Sequence, residues 1–267
     1  MKLEYNGFHA NLNPGGAYLE DLKKDNIDII RKSTDGDSTH GGAAVFFPFG
    51  NRIRNAEYNY NNKTYFLPKN DGKNSIHGLV RDLVFDSHSG NNFIEFSNRF
   101  KSGSYPGEAE IKIRYEIMGN AFVTSFYVKS LTGTIPVEVG CHPYFNTTGS
   151  YSISYRGVMK EFNYMDEYFP DGNTTDVDYN EKELNDISFN NCFYLNSPVI
   201  LKDEKHSVKI IRNNMPYMVM YNGQYAGKNS IALEPMTGTP DVYHNLIGLI
   251  SLDKNAEFKC SYSIEII

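Results

Sequence analysis

The chain has 267 residues, 40% hydrophobic and 22% charged, with a formal net charge of −6. This is an ordinary globular composition, and its acidity, with no run of five Lys or Arg, argues against nucleic acid or an anionic membrane as partner. No segment approaches the ~18 apolar residues of a membrane span, and residues 1–16 lack the apolar core of a secretory signal. Cys141, Cys192 and Cys260 are an odd count without a CxxC pair, so they are expected to be buried thiols in a reducing cytoplasm. The 20 Tyr and 17 Phe lean toward strand, and all-β sandwiches of ~200–250 residues commonly fold as one unit. One domain over 1–267 is expected.

Taken in chain order, residues 18–30 (YLEDLKKDNIDII) fit either a helical turn or two short strands around Asp25-Asn26. Residues 46–54 (FFPFGNRIR) run apolar to Gly50 and then present Asn51, Arg52 and Arg54. Arg52 and Arg54 fit solvated charges on a strand; in a functional reading Asn51 and Arg52 are convergent donors for hydroxyl or carbonyl oxygens. Residues 58–67 predict a hairpin turning at Asn61-Asn62, because Asn accepts the positive φ of a tight turn. In 74–81 (NSIHGLVR), His77 precedes a glycine, and structural and functional readings both stay open.

Strict alternation in 110–117 (EIKIRYEI) and 258–266 predicts antiparallel strands with one wet face. Further strands are expected at 122–129, 207–212, 217–221 and 247–252, and the acidic, Asn-rich 171–191 reads as a surface loop. No 3.6-residue period recurs at length, so no βαβ rhythm appears. The fold class is all-β, a large antiparallel β-sandwich.

Two further segments carry titratable side chains in apolar surroundings. His142 lies in 139–146 (VGCHPYFN), where Pro143 favours an extended strand end and apolar neighbours could tune its pKa around neutrality. Glu234 ends an apolar run before Pro235, also as expected of a strand terminus. It is either a surface charge or a partly buried base.

Asn51-Arg52-Ile53, His77-Gly78, His142-Pro143-Tyr144-Phe145-Asn146 and Leu233-Glu234-Pro235, in this order from about residue 43 onward, resemble the aldose 1-epimerase (galactose mutarotase) family. The resemblance implies a large antiparallel supersandwich acting on the hemiacetal carbon of a hexose, with no metal and no cofactor. It implies Glu234 as general base, His142 as general acid, and Asn51, Arg52 and His77 as sugar-binding residues. The family's usual aspartate before a Cys-Phe pair is replaced by Asn190 in FNNCF, a neutral amide with weaker grip on a hydroxyl. That leaves the sugar open.

Interconversion of α and β anomers needs a base at the C1 hydroxyl and an acid at the ring oxygen, which the reference pKa values of Glu (~4.3) and His (~6.5) allow. The alternatives are a hexose-6-phosphate 1-epimerase, favoured by Arg52, Arg54 and Arg81, and a non-catalytic sugar-binding module of the same fold. A glycoside hydrolase would need a second carboxylate, for which Asp241 is the candidate, although it is better placed to hold a turn. A zinc set of His77, His142 and Glu234 lacks two ligands at short spacing. The expected assembly is a monomer or homodimer.

Overall fold

The computed structural model describes residues 1–267. The strands Glu108–Met118 and Ala121–Ser130 alternate buried and half-exposed side chains along their whole length. The pleat sends successive side chains to opposite faces, so apolar residues two apart fall on one side. That side joins the strands into an eight-stranded antiparallel sheet, in which Ala121–Ser130 also pairs with Glu257–Ile266. A second sheet of eleven strands begins at Lys2–Tyr5, runs through Gly140–Asn146 and Ser230–Met236 near its middle, and ends at Pro170–Val177.

Both sheets contribute to one cluster of 51 buried residues. Phe96, Ile111, Phe126 and Ile264 come from the smaller sheet, and Phe8, Leu19, Phe145 and Leu233 from the larger. Each large apolar side chain buried this way is worth about 1.5–3 kcal/mol. The result is the expected β-sandwich. Strand makes up 54% of the chain and helix 3%, and no helix is long and apolar enough to cross a membrane.

The ambiguous 18–30 segment is two strands, Tyr18–Lys24 and Ile27–Ile30, turning where Asp25 takes a φ of 53°. The hairpin pairs Glu57–Tyr60 with Lys63–Phe66, and Asn61 and Asn62 supply φ values of 49° and 59°. The loop reading of 171–191 needs correcting. Pro170–Val177 is the edge strand paired to Met159–Tyr164. It is exposed on nearly every residue, so it carries polar side chains on both faces and shows no alternation to read.

A second correction concerns His142 and Glu234, which lie in mid-strand and not at strand ends. Pro143 and Pro235 bring no N–H to the ladder. The ladder adapts: the two strands register at Gly140–Met236 and again from Tyr144–Ala232, and skip the residues between. His142 and Glu234 face each other across that gap between the two strands.

Candidate active site

The strands Gly140–Asn146 and Ser230–Met236 are buried along almost their whole length. Alternation sorts their side chains. Cys141, Phe145, Ile231 and Leu233 face the core, leaving His142, Tyr144, Ala232 and Glu234 on the outer face. Loops roof that face and enclose a cavity of about 480 Å³, within the usual range for small-molecule sites. Asn51, Arg52, His77, His142, Asn190 and Glu234 all line it. The structure therefore brings together every residue singled out for binding or proton transfer.

The registered pairs on either side place His142 opposite Glu234, and their side chains touch, Nε2 to Oε1, at 3.2 Å. This is the contact of direct cross-strand neighbours. The His142 ring stacks on Tyr144 at 4.5 Å and meets the edge of His77 at 5.6 Å, and His77 in turn stacks on Phe46 at 4.3 Å. The imidazole is thus locked in orientation. His142 Nδ1 and Glu234 Oε2 have no hydrogen-bond partner.

Burial dominates the electrostatics. Loss of water pushes His142 down to about 3, far from the neutrality expected from sequence. It also raises Glu234 well above the carboxylate range, against the opposing pull of the Arg52 charge. His77 is held well below its ordinary value, first of all by burial. Although the His142–Glu234 distance suits an ion pair, burial favours the uncharged forms of both groups, because desolvation of two charges outweighs their attraction. The pair then shares one proton, carried by Glu234.

Arg52 is fixed from two sides. Its Nε donates to Asp71 Oδ2 at 2.6 Å, and its guanidinium lies 4.1 Å from the Tyr168 ring centre. The Asn51 side chain accepts the Arg52 backbone N–H at 2.8 Å. His77 has a φ of 63° and Gly78 one of 72°. Any Cβ on Gly78 would strike the Phe47 backbone, so this turn requires glycine. It sets the His77 ring against Phe46.

Arg54 is outside the cavity, paired with Asp241 at 3.1 Å, and Asp241 also accepts the Arg54 N–H, so it holds a turn as expected. Arg81, in contrast, lines the cavity, 4.0 Å from Asp37. Sequence reasoning missed Asp37, Asp71, Tyr168 and Tyr221. They come from polar or aromatic stretches without a distinctive pattern, and only the Asp71-Gly72 turn gave any signal. No three His, Cys, Asp or Glu side chains cluster as a metal site would require.

A family model described as aldose 1-epimerase matches residues 1–265. The chain belongs to the aldose 1-epimerase family. The galactose mutarotase of Sus scrofa is 33% identical over 111 residues, 40% of this chain and 32% of its own length. The aldose 1-epimerase of Streptococcus thermophilus is 25% identical over 252 residues, 76% of this chain and 72% of that protein. The solved aldose epimerase homologue of C. elegans superposes with a TM-score of 0.87 at 18% identity, covering 100% of this chain and 98% of the other. The alignment thus spans about a third of the mammalian galactose mutarotases it matches, and the structural likeness is one of fold. Within the aldose 1-epimerase family, this member carries Asn190 at the cavity wall.

Proposed function

We propose that this protein is an aldose 1-epimerase that interconverts the α and β anomers of a free hexose, with Glu234 as base and His142 as acid. The observation that carries the reading is the buried His142–Glu234 contact in a cavity otherwise lined by hydroxyl-binding groups. Anomer exchange consumes no net proton, so it needs one filled and one vacant proton site side by side. This pair supplies both.

In the reacting complex Glu234 removes the proton from the C1 hydroxyl while His142 gives one to the ring oxygen, and the bond between C1 and the ring oxygen breaks. The aldehyde rotates about C1–C2. His142 then recovers its proton as the ring hydroxyl closes on the opposite face of C1, and Glu234 returns a proton to the former carbonyl oxygen. During the open-chain stage Glu234 is protonated and His142 neutral, which is the arrangement that burial favours. Ring forms require the reverse arrangement, and the Arg52 charge, which draws Glu234 toward its carboxylate, assists it. Positioned proton transfer of this kind contributes about 10²–10⁴-fold. Asn51, Arg52, His77 and Asn190 bind sugar oxygens, and Arg52 and neutral His77 donate to the developing carbonyl. No cofactor is needed, and three free, buried cysteines suit a reducing cytoplasm.

A hexose 6-phosphate is less well matched. Both cavity arginines already face carboxylates, Arg52 at Asp71 and Arg81 at Asp37, which leaves little uncompensated charge for phosphate. Polarimetry or NMR exchange across glucose, galactose and glucose 6-phosphate tests the reading. Glu234→Gln is expected to lower the rate at least 100-fold while leaving sugar binding measurable. A wild-type protein inert toward every aldose, or a Gln variant at full rate, would refute it.

A further inference from the structure

A second cavity, of about 600 Å³, opens at the C-terminal end of the strand that carries His142, and it shares no lining residue with the cavity of His142 and Glu234. Strand register assembles it. Phe145 lies opposite Ile30, and Asn146 opposite Ser230. Arg31, Thr147 and Asn229, each one residue beyond those pairs, therefore meet at one rim, where the Thr147 N–H donates to the Asn229 carbonyl at 2.9 Å. Of the lining residues only Ile27 and Ile30 are apolar. Such walls suit a strongly hydrophilic ligand.

Most charges around this cavity are neutralised by neighbours. Lys23 pairs with Asp28 at 2.6 Å, Lys32 with Glu20 at 3.6 Å and His206 with Asp203 at 3.2 Å, and both Asp21 oxygens accept from Asn11. Arg31 and Lys205 are the exceptions: neither has a carboxylate within ion-pair distance, and both line the cavity. Arg31 is nevertheless held in place. Its backbone N–H donates to the Tyr144 carbonyl at 3.0 Å, and Nη1 donates to the Ala226 carbonyl and, at 3.3 Å, to the Ser230 hydroxyl. Nε and Nη2 have no protein partner and are not sealed from solvent. These two nitrogens share one edge of the guanidinium, whose parallel N–H donors match two oxygens of an oxyanion. Lys205 rides on a turn that Asp203 fixes by accepting the N–H groups of Lys205 and His206, each at 2.8 Å.

We infer that this cavity binds a phosphate group, either free or as the ester of a small polar metabolite. Two uncompensated cations match the charge of about −1.5 to −2 that a phosphate monoester carries at neutral pH, whereas a carboxylate would balance only one. A fork already fixed through Nη1 loses little freedom when its other edge is occupied. The site stands independently of anomer exchange. Its test titrates inorganic phosphate and glycerol 3-phosphate into isotope-labelled protein, with chloride holding the ionic strength constant, and follows amide NMR shifts. Saturable shifts at residues 146–148, 205–206 and 229 are expected, with a Kd of about 1 mM or below. Tighter binding of glycerol 3-phosphate identifies an ester as the ligand, and equal binding identifies free phosphate. Arg31→Lys, which keeps the charge but loses the fork, should weaken binding about tenfold. Lys205→Ala, on an exposed turn, should weaken it about threefold, and it decides alone if Arg31→Lys does not fold. Absence of saturation, shifts centred on residues 52 and 77 instead, or an unchanged Kd in Lys205→Ala overturns the site.

Discussion

Glu138 offers the sharpest test of the electrostatics. Its side chain is fully buried behind the loop that presents Asn51 and Arg52, where Oε2 accepts the Gly50 N–H at 2.7 Å and Oε1 has no partner. Burial pushes this carboxyl up to about 8, and the Gly50 bond only partly offsets the rise. The folded state thus holds a proton that the unfolded chain, titrating near ~4.3, has given up. The stability linked to that proton is complete below the unfolded pKa and is lost as pH climbs through the folded one. Between pH 6 and 8 the loss amounts to about 2 kcal/mol, or roughly 5 °C in Tm for a chain of this size. Glu138→Gln keeps the shape and the acceptor for Gly50 but cannot ionise. Urea and thermal unfolding at pH 6, 7 and 8 should show the wild type losing stability relative to the Gln variant across this interval. Parallel curves for the two proteins would refute the claim that Glu138 is a buried, protonated acid.

The same reasoning shapes the pH dependence of catalysis. With His142 pushed down to about 3, kcat/KM should show no acid-side inflection near the ordinary histidine value of ~6.5 and stay flat toward pH 5; a clear inflection at 6–6.5 would show the imidazole to be solvated. Gly78→Ala should cost about 2 kcal/mol or more, because the residue needs a positive φ and its new methyl group meets the Phe47 backbone. Anomer exchange should fall with it as His77 is displaced, and a variant unfolding within about 0.5 kcal/mol of wild type would contradict that account.

Much of the sandwich was legible because pleating writes itself into sequence. The strands at 108–118, 121–130 and 257–266 have one dry and one half-wet face, so their apolar residues recur every second position. The edge strand at 170–177 has no dry face and left no such trace. Residues 18–30 stayed ambiguous because Tyr18–Lys24 buries neighbours on both faces, giving clusters that also fit a helical turn. Local pattern reports burial on one face. Where both faces are wet, or both dry, the period disappears.

The site divides along a similar line. His142 and Glu234 were findable because each stands out within an apolar strand, and a polar group at such a position demands a reason. Their contact was not, because it depends on a register between strands about 90 residues apart in sequence, which no local pattern encodes. The roof was harder still. Asp71, Tyr168 and Tyr225 sit on loops whose polarity is what any solvated loop would show, and only the fold tells which of them turn inward. This explains why the pKa reading missed in one direction. A sequence can place a histidine among apolar neighbours, but the depth of burial comes from the loops that close over it. Here that closure is nearly complete, with His142 5% and Glu234 1% exposed. Both groups are therefore displaced toward their uncharged forms.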